Sequence, residues 1–282
     1  MLISIEIPVT KGKYLKSIFE SVVRQQFQEY EVIVVNSGPE YISKIINEYN
    51  FKEIRGNFRL LHARYLAHLK SNGEYTLILD ETRSLGDGLL KALSLTLHDM
   101  VLMDEKEVGQ SLLVRAAQLD KDNIVYCNSP DPLSGFALPR FFKSSILSDA
   151  FQELKKNLGG NFYEVIFPDH ELIYYEASRL SRDVYRLTEP YIFHYGDTSI
   201  IEAIRKYYRY GKSIEALKGT VYENFLSMHR KKRKICKGNV GDRLLLYTLY
   251  FIRGSSFLLG HAIKRFGMNN QSKNLTQNDS AK

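Results

Sequence analysis

Cysteine is scarce in this chain of 282 residues: only Cys127 and Cys236 occur. They stand in unlike surroundings, the apolar run "NIVYC", where Cys127 reads as core, and the basic run "HRKKRKICKG". Two unrelated thiols argue against a disulfide scaffold or a zinc site and for a reducing compartment. The opening residues also do not read as a secretory leader. "MLISIEIPVT" has no basic stretch and no small-residue cleavage site, so it reads as a strand. Asn270, Asn274 and Asn278 each open an N-x-S/T sequon, which without an export signal reads as coincidence. No hydrophobic run is long enough to cross a bilayer: Leu244 to Ile252 is short, and Arg253 interrupts its continuation. The absence of G-x-G-x-x-G and of a Walker-type Gly-Lys-Ser/Thr disfavours dinucleotide oxidoreductases and P-loop NTPases.

What is present suits a soluble globular chain. Hydrophobic content of 44% and charged content of 25% are ordinary, and the length fits one large domain with or without an appendage. A net charge of +7 points to an anionic partner such as a nucleotide, a lipid phosphate or nucleic acid. Strands and helices alternate in the first ninety residues. "LISIEIP" is an apolar run ended by Pro8, and the pairs Tyr14/Leu15, Ile18/Phe19 and Val22/Val23 mark an amphipathic helix. "YEVIVV" suits a strand buried on both faces, helices follow at about 41–49 and 63–70, and "YTLIL" is the next strand. This rhythm predicts a doubly wound, mostly parallel, Rossmann-like sheet whose strand ends "PVTKG", "NSGPE" and "DETRS" open onto one crevice. Further on, 89–97 and 141–158 read as helices, "IVYC" and 163–167 as strands, and "PYIFHY" as a strand. Asp197 then caps a helix from about Ser199 to Gly211. Six positive charges between Arg230 and Lys237 precede the apolar, aromatic segment that ends in "FLLGHAIKRFG". Either this is a surface for an anionic membrane, or it is a terminal helix packed on the domain behind a solvated loop.

Several side chains carry possible chemistry. Asp80 closes a buried strand, where a carboxylate can bind ribose or a divalent cation; the alternative is a turn-starting Asp. Glu81 points to the opposite face in extended geometry, so it does not substitute for a missing second acid. Arg64 and Arg83 are candidate phosphate contacts, and Lys11 or Lys13 stands near the same crevice. Asp169 and Glu171 of "PDHEL" offer a general base, or a solvated helix start. His194 is a packed core histidine or a ligand.

In order and spacing these pieces resemble the family 2 glycosyltransferases of the GT-A fold. "ISIEIPVTKGKYLKSIFESVVRQQFQEYEVIVVNSG" is similar to that family's opening. "HARYLAHLKSNGEYTLILDET" is similar to its Ala-Arg-Asn helix and Asp-x-Asp strand, and "PDHEL" to its acidic Glu-Asp segment. "YIFHYGDTSIIEAIRKYYRYGKS" resembles its late histidine with a basic, tyrosine-rich helix. The resemblance covers residues 1–215. It implies an inverting, hexosyltransferase-type enzyme moving a sugar from a nucleotide-diphosphate donor to a glycan or lipid-linked acceptor, in cell-envelope glycan synthesis. By the same resemblance Asp169 is the base, and Pro8, Thr10, Asn36, Ser37, Arg64, Asp80 and Gly135 line the donor site. Asp80 and His194 would hold a divalent metal, Mn or Mg.

The departures from that pattern bear on activity. Asn36-Ser37 replaces acids expected near the nucleobase, Thr10-Lys11 replaces Tyr-Asn, and Thr82 replaces the second acid of the metal motif. These motivate an alternative, a non-catalytic GT-A-fold protein that binds nucleotide or a partner subunit. Nucleic-acid binding is disfavoured, because no reading module is present and the positive run is confined to one loop. The expected organisation is a transferase domain at 1–215, a basic amphipathic helical extension at 216–267 in possible peripheral contact with a membrane, and a disordered polar tail at 268–282. The expected location is cytoplasmic, at the inner face of the plasma membrane.

Overall fold

The computed structural model describes residues 1–128, 138–225 and 234–279. Among them an eight-stranded sheet runs in the order β3-β2-β1-β4-β7-β6-β8-β5. The apolar runs near the start become β1 (Ile3–Val9), β2 (Tyr30–Asn36) and β4 (Tyr75–Ile78); the polar β3 (Lys52–Arg55), which the apolar pattern does not announce, joins them, and all four are mutually parallel. Every residue of β1 is buried, because helices cover both of its faces. Ile3, Ile5, Ile7 and Val9 pack with α1 (Leu15–Val23) and α2 (Glu40–Glu48). The other face meets α3 (Leu60–Leu69), where His68 of the helix binds Glu6 of the strand at 3.0 Å. Two-sided cover is why buried parallel strands read as hydrophobic runs.

β7 (Phe141–Lys143) joins the two halves of the sheet, pairing antiparallel with both β4 and β6 (Met100–Glu107). Beyond it, β8 (Val184–His194) runs parallel to β6 and antiparallel to β5 (Arg83–Leu85). A second core, with Ile78, Met100, Phe142 and Phe162, lies under α6 (Ser144–Leu158) and α7 (Asp169–Leu180).

Several local expectations are corrected. "IVYC" is the last turn of α5 (Leu112–Cys127), not a strand; a four-residue apolar run has too little period to tell the two apart. Residues 141–158 divide into β7 and α6, because Phe141 and Phe142 fill the seam between sheet halves. Residues 163–167 are not a strand: Gly159–Glu164 form a 3-10 turn that buries Phe162, and the Val165 carbonyl accepts from the Leu61 amide at 3.1 Å. The predicted helix at 89–97 stops at Ser94 as α4 (Leu89–Ser94). Ser199, not Asp197, caps α8 (Ile200–Ser213): its hydroxyl accepts from the Glu202 amide at 3.2 Å, while Asp197 pairs with Lys206.

The largest correction concerns the thiols. Cys127 and Cys236 form a disulfide across 109 positions. The cause is tertiary: Asn123 Oδ1 accepts from the amides of Cys236 (2.8 Å) and Lys237 (2.9 Å), which draws that loop onto the end of α5.

The loop leads into a long helix, α9 (Val240–Asp279), whose backbone continues through the polar 268–279 stretch. No described helix is long and apolar enough to cross a membrane. α9 packs tightly against α8. A Cβ built on Gly260 would lie 2.1 Å from the Tyr208 carbonyl oxygen, so the two backbones meet where no side chain fits. On its other side Tyr250 and Arg253 bind Asp120 of α5 at 2.7 and 2.9 Å.

Candidate functional site

The three expected strand tips are bonded together. The Ser37 amide after β2 donates to the Val9 carbonyl at the end of β1 (2.8 Å). Glu81 stands in the turn that follows Asp80 beyond β4 and has partners of its own. Its carboxylate accepts from the amides of Thr10 (3.1 Å), Lys11 (2.7 Å) and Gly12 (2.7 Å) and from the Thr10 hydroxyl (2.6 Å). Gly12 has φ +66°, the left-handed geometry that turns consecutive amides to one side. The amide nest of the β1–α1 turn is thus filled by the chain's own acid.

Asp80 sits in a cage of guanidinium groups. Arg64 of α3 is 2% exposed and donates Nη2 to Asp80 Oδ1 (2.5 Å), Nη1 to the Leu79 carbonyl (3.1 Å) and Nε to Asp169 Oδ2 (2.6 Å). One side chain therefore joins the tip of β4 to the first turn of α7. Asp80 Oδ2 takes Arg83 Nη1 and, at 3.3 Å, Nη1 of Arg140 just ahead of β7. Burial would raise the Asp80 pKa, but Arg64, Arg83 and Arg140 hold it well below the carboxylate range.

The network continues across β5, β8 and β6. Arg83 Nε and Arg140 Nε both donate to Glu105 Oε1 (2.8 and 2.6 Å), and Lys121 of α5 bridges Glu105 and Glu107 (2.6 and 2.9 Å). Arg83, His194 and Glu107 are register partners on the three adjacent strands, so they form one row. Burial and the nearby cations Arg83 and Lys121 press the His194 pKa down to about 3. Burial alone would raise Glu107, but the His194 hydrogen bond and Lys121 hold it at about 2. His194 is therefore neutral and donates Nδ1–H to ionised Glu107 at 2.7 Å, which leaves its lone pair on Nε2.

At the start of α7, burial raises the Asp169 pKa against the pull of Arg64. Glu171, half-buried, is pushed up to about 8, first by burial and then by the Asp169 charge. Between them, His170 is driven well below its ordinary value by burial and by Arg140 and Arg64. It donates Nε2–H to the Pro139 carbonyl at 2.7 Å. Arg64 is the arginine that steers the Asp169 carboxylate.

The structure brings Asp80, Arg64 and Asp169 into direct contact and joins His194 to them through Glu107, Lys121, Glu105 and Arg83. Pro8 is buried in β1 opposite Val35. Thr10 is exposed at the nest. Asn36 is fully buried, with its amide donating to Ser43 and Glu53 and its Oδ1 accepting from the Gly38 amide, so its polar atoms serve the β2 turn. Ser37 Oγ accepts from the Phe58 amide (3.1 Å). Lys13 pairs with Glu202 across 3.9 Å. Gly135 lies outside the described residues. Arg140, Glu105, Glu107 and Lys121 escaped the sequence reading. A cavity of about 430 Å³ lies by β5 and β8, lined by Arg24, Ser84, Gly86, Phe193 and Tyr195 among others; neither Asp80 nor Asp169 borders it.

The residues around Asp80 do not fit a divalent cation. Both carboxylate oxygens already face N–H donors of three arginines, and Thr82 supplies no charge where a second acid would stand. Glu81 is committed to the amide nest. No group of three His, Cys, Asp or Glu side chains among the described residues could hold a metal ion.

The α8–α9 pair flanks Asp169. Phe167, two residues before it, stacks on Tyr210 of α8 at 4.9 Å and lies edge-on to Phe257 of α9 at 5.9 Å. Val240, Leu244, Tyr247, Phe251 and Leu258 form an exposed stripe at helical spacing along α9.

Residues 4–81 match the glycosyl transferase family 2 model. No curated protein sequence matches the chain. Among solved structures it is similar to S. aureus TarS, with a TM-score of 0.54 at 16% identity over 91% of this chain and 49% of that one; it spans about half the length of that protein. TarS 1-349 in complex with UDP-GlcNAc superposes with a TM-score of 0.55 at 13% identity, covering 96% of this chain and 92% of that one. Mannosyltransferase PcManGT from Pyrobaculum calidifontis, in complex with GDP-Man and Mn2+, gives 0.51 at 13% identity over 95% of this chain and 79% of that one. The shared architecture is the GT-A fold.

Proposed function

We propose that this chain, which carries a family 2 glycosyl transferase segment on a GT-A fold, transfers a hexose from a nucleotide-diphosphate donor to a glycan or lipid-linked acceptor with inversion. The observation that carries the reading is the Arg64 bridge between Asp80 and Asp169. In this reading Asp80, Arg64, Pro8, Thr10 and Ser37 border the donor. Asp169 removes the proton from the acceptor hydroxyl, whose oxygen attacks the anomeric carbon as the nucleoside diphosphate departs. Its buried, proton-attracting carboxyl suits that work near neutral pH, and the Arg64 N–H fixes the direction of its lone pairs. His194 and Glu107 continue the row from Arg83 across β8 and β6. The complexes of these structural neighbours with UDP-GlcNAc and GDP-Man support a donor of this class.

The acceptor side is proposed to face an anionic membrane surface. The α9 stripe is apolar, Arg243, Lys264 and Arg265 are exposed on the same helix, and the sequence run from Arg230 to Lys237 precedes it. Contact of α8 and α9 with Phe167 would bring a lipid-linked acceptor beside Asp169. The assigned location is the cytoplasmic face of the plasma membrane. In that reducing compartment the Cys127–Cys236 bridge would open to a thiol pair held in reach.

The caging of Asp80 and the neutral Thr82 favour one second reading, a nucleotide-binding GT-A protein without turnover. Nucleoside-diphosphate release measured over a panel of nucleotide sugars and acceptors separates the two. Release from one donor supports transfer. Binding without release across the panel supports the second reading, and no binding contradicts both.

A further inference from the structure

The geometry points to a donor diphosphate held by guanidinium groups, Arg83 and Arg140 foremost, with no divalent cation bridging it to Asp80. The inference rests on the nucleotide-sugar reading above and concerns the same site.

A metal-bridged diphosphate needs carboxylate lone pairs turned toward the ion. Here Asp80 Oδ1 takes Arg64, and Oδ2 takes Arg83 and Arg140. An incoming cation would have to displace these donors and then sit against three guanidinium charges. The neighbouring acids give no help. Glu81 fills the β1–α1 amide nest, Glu105 takes Arg83, Arg140 and Lys121, and Glu107 takes Lys121 and His194.

For an anion the same surroundings are favourable. Each guanidinium carries five N–H groups. Arg140 spends Nε on Glu105 and Nη1 on Asp80, and it carries two more N–H groups at Nη2. Its guanidinium is held below the ordinary arginine value first by burial and then by Arg83 beside it. A phosphate oxygen accepting from those N–H groups would offset that burial, and bidentate guanidinium–phosphate pairing suits two adjacent arginines. Asp80, with its side chain 22% exposed, is the more open member of the cluster, so a ligand would enter from its side.

The test is calorimetric titration of the full chain with UDP and with GDP, once with EDTA and once with Mn2+. The expected result is binding of one nucleotide in EDTA, with an affinity within about threefold of that in Mn2+. Arg140→Gln should weaken binding about tenfold or more, the scale of one lost charge-assisted contact, and Arg140→Lys should recover part of it. Binding that appears only with Mn2+ overturns the inference and leaves the transferase reading standing. Equal affinity in wild type and a folded Arg140→Gln overturns it as well. The comparison in wild-type protein decides the question even where a variant fails to fold. No binding of either nucleotide under both conditions removes the nucleotide-sugar reading itself, and the inference with it.

Discussion

Replacing Arg64 by methionine removes a side chain that binds both candidate carboxylates. The guanidinium is 2% exposed and makes three hydrogen bonds, two to carboxylates and one to the Leu79 carbonyl. Bonds to charged partners contribute about 1.5–3 kcal/mol each and a neutral one about 1 kcal/mol, partly offset by no longer burying the guanidinium. The residual cost falls unequally. Asp80 keeps Arg83 and Arg140, but Asp169 loses its only ion-pair partner among the described residues while remaining buried. Breaking one partner out of a buried pair typically costs about 3–5 kcal/mol, and that is the expected loss in Arg64→Met. In an Asp169→Asn background no buried charge is stranded, so the same replacement should cost about 2 kcal/mol less. Equilibrium urea unfolding of wild type, both single variants and the double variant measures this coupling. A loss below about 1 kcal/mol in Arg64→Met, or additivity within about 0.5 kcal/mol, would refute the bridge as the organiser of the site.

Three further outcomes are expected. Glu171 binds its proton at about 8 when folded against 4.5 ordinarily, so the folded chain holds an extra proton between those values. Its contribution to stability is complete below pH 4.5 and is lost as pH rises through 8. Glu171→Gln should flatten that part of the stability–pH curve, and an unchanged slope contradicts the assignment. Reducing the Cys127–Cys236 bridge reopens a loop of 109 positions, for which chain-entropy arguments give a loss approaching about 4–5 kcal/mol. Melting with and without reductant, alongside thiol alkylation, checks it; an unchanged melting point with free thiols would count against the tether. Phe251→Glu, at a position 75% exposed on α9, should abolish co-sedimentation with phosphatidylglycerol vesicles while leaving nucleotide binding intact. Undiminished sedimentation removes the membrane surface from the account.

β1, β2 and β4 were legible because they are largely buried and spell continuous apolar runs, whereas the polar, part-exposed β3 carries no such pattern. The order of Asp80, Arg64 and Asp169 came from the resemblance, whereas alternation put Glu81 only on the opposite face, and its partners in the β1–α1 turn are set by tertiary packing. Arg140, Glu105, Glu107 and Lys121 were not legible. They come together only through the pairing of β6 with β7 and β8, between segments with no shared local pattern. The same holds for the thiols, joined by Asn123 and its hold on two distant amides. "IVYC" misled because apolar β-branched residues also suit the half-buried side of a helix end.

In the proposed reaction Asp169 is the base, and its neutral isostere gives the most direct measurement. Nucleoside-diphosphate release from the accepted donor, in the presence of acceptor, should fall by about a hundredfold or more in Asp169→Asn, with nucleotide binding and melting cooperativity retained. Release at the wild-type rate from a folded Asp169→Asn protein would contradict the account.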